Sequence, residues 1–417
     1  MRSKLTNRWT LGWLLLTLGH TAAAEAQISF DQAIAKALES NPTLTSFGYQ
    51  LEAQQGVISH ASTKPNVELG IEVENAFGTG PFSGLDGAEA TISLAWSLER
   101  GKRQHRVDAA RAGLSFLESE AELQRLDVAA ETGRLFLASL AHQSQLDLAD
   151  EAIAMAGKTV AAVERRVQAG RTPRADLARA EVDLARVELE RDHIEHRLIT
   201  SIRSLAAQWG ETRPAITSVQ GNLAELPQPD GFKVLLTRID QSPGLRRFLS
   251  ERRLREAKLR SIESDAKPDW RLMTGVRQMQ LTDEQAFVAS ITIPLGADRR
   301  NQGRVATARA DLARSDADRA VTRIQLETRL FALYEELKHS LHIATTLHDE
   351  ILPRVDRGLL ETQRAYEQGR YSYVELRIAQ NDALRARTDV TAALIDAHRN
   401  VLEIEALTGT ALTSPAR

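Results

Sequence analysis

Val67-Glu68-Leu69-Gly70-Ile71-Glu72-Val73-Glu74 and Thr91-Ile92-Ser93-Leu94-Ala95-Trp96-Ser97-Leu98 decide how the rest of this chain must be read. In both stretches apolar residues alternate with acidic, small or hydroxylated ones, the period-2 pattern of amphipathic strands. Residues 75–89 between them are Gly-rich and contain Pro81, too long for a tight turn and typical of an exposed loop. Strands over about 66–75 and 90–98 therefore form a long-looped hairpin. One apolar and one polar face over about 9 to 11 residues fits lipid on one side and water on the other, although a soluble sheet can alternate in the same way.

Outward from the hairpin the period changes to that of helices. Upstream, Ser29 and Gln32 predict a capping box opening a short helix that ends at Asn41-Pro42. A second helix over 43–63 stops at Lys64-Pro65, because the residue before proline disfavours helical geometry. Downstream, 101–169 holds no proline and keeps helical spacing, which predicts a helix of about 68 residues and ~100 Å. Gly113, Gly133 and Gly157 inside it are expected to bend or break it locally. At Gln168-Ala169-Gly170-Arg171-Thr172-Pro173 the chain should reverse, with Gly170 left-handed, Thr172 as N-cap and Pro173 in the first helical position. The returning helix, to Trp209-Gly210, is about 36 residues or ~54 Å, so two shorter helices stacked end to end can match one long one.

The same order recurs about 200 residues later, Asn41-Pro42 matching Ser242-Pro243, Lys64-Pro65 matching Lys267-Pro268, Lys102-Arg103 matching Arg299-Arg300, and Gly170 matching Gly369. We read an internal duplication. Repeat one covers 27–210, a Pro-containing linker 211–230, repeat two 231–410 with strands at about 268–279 and 286–295, and a tail 411–417. The second long helical stretch runs from near Asp298 to Gln368, interrupted at Pro353 and Gly358.

Residues 1–26 join basic Arg2, Lys4 and Arg8 to an apolar run and Ala24-Glu25-Ala26, the form of a cleavable signal peptide. The apolar run is about half the ~20 residues that span a bilayer as a helix. Ala, Leu, Arg and Glu dominate a chain of 417 residues with 26% charged and 5% aromatic residues, the profile of long helices. A net charge of −3 offers no global basic field, so nucleic acid is not an expected partner. With no cysteine there is no disulfide, thiol chemistry or lipidated N-terminal Cys.

Long helices leave no second sheet to cover the apolar strand faces, which favours lipid. Membrane strands must close into a barrel, because an open edge in hydrocarbon leaves backbone groups unsatisfied, and four strands are too few to enclose a lumen. Several copies must share one barrel. Glu68, Glu72 and Glu74 are then expected on its lumenal side.

Across the whole chain after residue 26, the duplicated layout resembles the TolC-type outer-membrane factors. The motifs Ile28-Ser29-Phe30-Asp31-Gln32-Ala33-Ile34, Gln168-Ala169-Gly170-Arg171 and Tyr366-Glu367-Gln368-Gly369-Arg370 carry the likeness. Leu98-Glu99-Arg100-Gly101-Lys102-Arg103, Asp298-Arg299-Arg300-Asn301-Gln302-Gly303 and Trp209-Gly210 with Gly221-Asn222-Leu223 and Leu226-Pro227 look like its cobalt-zinc-cadmium branch. The resemblance implies a mainly α fold with a β-barrel contribution. Long antiparallel coiled coils form a tunnel, and four strands per subunit build a 12-stranded barrel in a homotrimer. It further implies an outer-membrane conduit of a tripartite system with a periplasmic adaptor and an inner-membrane RND pump, exporting divalent heavy-metal cations.

By the same resemblance, Gly170, Arg171, Gly369 and Arg370 lie at periplasmic tips that meet the adaptor. Asp176, Tyr366 and Glu375 match positions that line or latch the closed aperture, although the family's arginine latch partner falls at Tyr371 here. An acidic ring repeated by symmetry would concentrate cations at a narrow mouth. His193 with His196, and His339 with His342, stand three apart and can present two imidazoles, but on charged helices they read as solvent-facing and no metal site is assigned. No P-loop, HExxH, GxSxG or Cys nucleophile occurs, so neither an enzyme nor a cofactor is expected. A drug or type I protein-secretion conduit remains the alternative within the fold. A periplasmic coiled-coil adaptor or scaffold is the alternative outside it.

Overall fold

The computed structural model describes residues 27–412; the signal-peptide reading of 1–26 and most of the tail lie outside them. Strand β1 (Gln27–Ser29) leads into helix α1 (Phe30–Ser40), and the capping box is present, the Ser29 hydroxyl accepting from the Gln32 amide while the Gln32 side chain accepts from Ser29. Helix α2 (Pro42–Ser62) starts at Asn41, whose side chain accepts from the Thr43 amide at 2.8 Å and donates to the Gln208 carbonyl at 2.7 Å. Strands β2 (Glu68–Glu74) and β3 (Glu89–Leu98) follow, then helix α3 (Lys102–Gln168) and helix α4 (Arg174–Ala206).

Helix α3 is a single unbroken element of 67 residues, ~100 Å long. Gly113 and Gly133 serve close packing rather than bending: a Cβ on Gly133 would lie 2.8 Å from Leu402 Cδ1, and one on Gly113 2.8 Å from Gln54 Nε2, while Gly157 faces open space. Within 211–230 the chain does more than link, because strand β4 (Ser218–Gln220) pairs in parallel with β1.

The second half runs through helices α5 (Phe232–Ile239) and α6 (Pro243–Asp265), strands β5 (Trp270–Met279) and β6 (Glu284–Thr292), and helix α7 (Ala297–Thr346). A π-helical turn, Leu347–Ile351, joins α7 to helix α8 (Leu352–Glu367), and helix α9 (Tyr373–Thr408) closes the chain. The π turn precedes Pro353, which sits where a missing N–H costs least, so the expected interruption becomes a change of helical pitch.

All four long strands form one antiparallel sheet in the order β2-β3-β5-β6, so hairpins about 200 residues apart in the chain pair directly through β3 and β5. Two apolar cores form where the shorter helices meet end to end. One places Phe30 edge-on to Phe136, with ring centroids 5.4 Å apart, among Leu140, Trp209 and Val219. The other gathers Leu245, Phe248, Leu330 and Leu337, with the Phe232 ring 5.5 Å from that of Tyr334 at its margin. No described helix is long and apolar enough to cross a membrane.

Phe136 is fully buried, so Phe136→Ala should lower stability by about 3–5 kcal/mol and visibly lower the thermal unfolding midpoint followed by circular dichroism.

Candidate functional site

Strand register sorts the sheet into two faces. Leu69, Ile71 and Val73 share one with Ile92, Leu94, Trp96, Leu272, Val276, Phe287 and Ile291. These large side chains lie open: Ile71 is 72% exposed, Phe287 75% and Ile291 66%. Glu68, Glu72 and Glu74 lie on the opposite face with Ser93, Thr91, Glu89, Arg271 and Arg277.

Sequence reasoning found these carboxylates but not their partners. Glu68 pairs with Arg271. Glu74 stands directly across from Glu89, an arrangement that repels unless a cation lies between. Arg277 is that cation: its guanidinium donates to Glu74 at 2.7 Å, to Glu89 at 2.8 Å and to Thr91 Oγ1 at 3.0 Å. Glu72 has no ion pair among the described residues. The arginines come from the other repeat, and only the β3–β5 register reveals the pairing.

At the far end of the helices, the α3–α4 and α8–α9 turns each pivot on a left-handed glycine, Gly170 at φ +67° and Gly369 at φ +78°. Pro173 takes the cap position with extended ψ, and α4 begins at Arg174, one residue later than expected. Thr172 is not the cap; its hydroxyl accepts from Arg166 Nε at 3.2 Å. Arg166 thereby gathers both turns, since it also donates to the Tyr366 carbonyl and its guanidinium lies 4.7 Å above the Tyr366 ring. The Arg171 and Arg370 amides close their turns onto the Arg166 and Ala365 carbonyls at 2.8 and 2.9 Å.

Of the three aperture candidates, Tyr366 is buried at the tip with Val163, Tyr373 and Leu376. Burial pushes its phenol above the ordinary range; Arg166 opposes this and Asp176 adds to it, placing Asp176 within electrostatic reach. Asp176 pairs with Arg179 at 3.4 Å. Glu375 is committed locally, accepting from the Ser372 amide at 2.7 Å and hydroxyl at 2.9 Å, and these bonds hold its carboxyl below the usual range. The four histidines of the two spaced pairs are exposed, and among the described residues no group of three or more His, Asp or Glu could hold a metal.

A second tie between the coils went unread. Tyr373 at the start of α9 donates to Asp183 of α4 at 2.8 Å, Arg377 approaches the same carboxylate at 3.7 Å, and Gln380 donates to Thr159 of α3 at 2.8 Å. They line a cavity of about 230 Å³ between the three helices. Burial, then the bond to Asp183, pushes the Tyr373 phenol well above its ordinary range.

Residues 33–211 match the family described as outer membrane efflux protein. The chain resembles that family over this stretch. It is 26% identical over 386 residues to the cobalt-zinc-cadmium resistance protein CzcC of Cupriavidus metallidurans, covering 93% of this chain and 91% of that one. It is 23% identical over 321 residues to the nickel-cobalt-cadmium resistance protein NccC of Alcaligenes xylosoxydans xylosoxydans, covering 74% and 71%. The fold matches the outer membrane protein VceC of Vibrio cholerae with a TM-score of 0.74 at 18% identity over 92% and 97% of the two chains. It matches a membrane protein from Pseudomonas aeruginosa at 0.77, with 15% identity over 91% and 90%. The proteins it resembles are outer membrane efflux proteins, transport conduits rather than enzymes.

Two ties can be tested as stability. Replacing Arg277 with Met should cost about 1.5–3 kcal/mol, and adding Glu89→Gln should restore part of the loss, read from unfolding midpoints of the single and double variants. Tyr373→Phe should cost about 1–2 kcal/mol. Because burial and the bond to Asp183 raise the folded phenol above its ordinary value of 10.0, that contribution is complete below about pH 10 and disappears as pH rises through the folded value. The gap between wild type and Tyr373→Phe should therefore be constant from neutrality to mild alkali and close only beyond it.

Proposed function

We propose that this protein is the outer-membrane conduit of a tripartite efflux system, passively exporting divalent heavy-metal cations that an inner-membrane RND pump delivers through a periplasmic adaptor. The observation that carries the reading is the sheet: four strands, one face of exposed large apolar side chains, and two unpaired edges, β2 and β6. In hydrocarbon those edges must find partners, and three copies supply twelve strands for one closed barrel. Exposed apolar residues on outer elements, Leu189 and Ile199 on α4 and Ile324 and Phe331 on α7, support neighbouring copies packing around a shared tunnel.

The repeats 27–210 and 231–410 each give this assembly one hairpin and one coiled coil. Glu68, Glu72 and Glu74 face the lumen. Gly170, Arg171, Gly369 and Arg370 form the adaptor-facing tips, and Asp176, Tyr366 and Glu375 border the aperture. The cargo reading rests on the relatives named for cobalt, zinc, cadmium and nickel resistance. Weak, transient contact with carboxylates suits a conduit better than a chelating site does.

Deleting the gene should sensitise cells to zinc, cobalt, nickel or cadmium on graded plates; sensitivity to dyes and antibiotics alone would move the cargo to drugs. Leu in place of Gly170 or Gly369 is strained at positive φ, so either variant should lose co-purification with the adaptor while trimers persist on native gels. Asp176→Asn with Glu375→Gln should reduce cation selectivity in planar bilayers, and unchanged reversal potentials would remove both residues from the aperture.

A further inference from the structure

The two rims of the sheet carry opposite charge. Where strands pass into helices, positions 64, 99–106, 258–269, 299 and 301–304 hold ten Lys or Arg against four Asp or Glu, in a chain whose net charge is −3. At the opposite rim, 74–89 and 277–284 hold five Asp or Glu and one Arg. The basic rim is also the one with indoles. Trp96 and Trp270 lie on the apolar face, paired in register with Leu272 and Leu98, and the Arg100 guanidinium sits 5.0 Å above the Trp270 ring.

Indoles settle at the boundary between hydrocarbon and headgroups, so Trp96 and Trp270 set the depth at which the basic residues stand. Part of that charge is used internally: Lys102 pairs with Asp269 at 2.9 Å and Arg304 with Asp265 at 3.2 Å. Lys64, Lys267 and Arg299 are exposed and have no ion pair among the described residues. Lys64 and Lys267 are duplicate positions, each three or four residues before a strand, so both hairpins enter the sheet past a cation.

We propose that this rim is a collar for the anionic headgroups of phospholipids in the leaflet facing the periplasm, fixing the depth of the barrel electrostatically as well as by apolar burial. It rests on the barrel reading and goes beyond it, since burial of an apolar face does not distinguish anionic from zwitterionic lipid. Each Lys or Arg near an anionic surface strengthens attachment by about fivefold.

The test uses the full-length protein in neutral detergent, titrated with dansyl-labelled phosphatidylglycerol or phosphatidylethanolamine, with energy transfer from Trp96 and Trp270 as the signal. Phosphatidylglycerol should reach half-saturation at about tenfold lower concentration or less. About 0.5 M salt should abolish the preference, as expected for exposed charges. Lys64→Gln, Lys267→Gln and Arg299→Gln together should bring the two lipids together, with circular dichroism checking that the variant folds; if it does not, the wild-type salt dependence decides. Equal transfer from both lipids in wild type would overturn the collar while leaving the barrel, and transfer from neither would overturn both. Displacement of labelled lipid by about 10 mM inorganic phosphate at constant ionic strength would also overturn it, by revealing a free-anion site instead.

Discussion

A peptide group at the edge of a sheet is satisfied by water in solution and by nothing in hydrocarbon, where each orphan costs several kcal/mol. That constraint organises this molecule. Strands β2 and β6 end the four-stranded sheet, and the outward face is too apolar to leave wet. On the reading proposed above, a single copy is an arc of a larger object. Duplication doubles what one chain adds to that arc, and direct pairing of β3 with β5 makes the two hairpins one continuous piece.

The helices inherit their arrangement from the same arc, because each strand that leaves the sheet hands its direction to a helix. Two solutions occur: one unbroken helix, α3, and pairs of shorter ones that meet end to end. The joints would be weak points, and there the chain concentrates its cores, Phe30 against Phe136 at one and Leu245, Phe248, Leu330 and Leu337 at the other. The short β1–β4 pairing ties the inter-repeat segment to the start of the chain at the first joint. At the far end, where cores thin out, polar contacts take over. Arg166 binds both turns, and the Tyr373 hydroxyl ties α9 to Asp183 of α4.

Much of this was legible because it is local. Alternation marked the strands, and the Ser29–Gln32 capping box, the prolines after Asn41 and Ser242, and the glycines at 170 and 369 marked where helices begin and turn. The misread points involve side-chain or strand partners that the local pattern does not announce. Thr172 looked like an N-cap but is engaged by Arg166, which moves the start of α4. Gly113 and Gly133 looked like breaks but admit Gln54 and Leu402. Residues 218–220 looked like linker until Gln27–Ser29 lay beside them.

From residue order alone came the class of object: amphipathic strands without a covering layer, helices far longer than a globular domain accommodates, and two copies of the plan. Periodicity and capping depend on near neighbours in the chain, so they survive without a fold. The electrostatics depended on the tertiary structure. Neither the Glu74–Arg277–Glu89 bridge nor the Tyr373–Asp183 tie, each spanning about 190 residues or more, has any local signature. Coulomb and hydrogen-bond energies fall off within a few ångströms, and only the folded register decides which charges come that close.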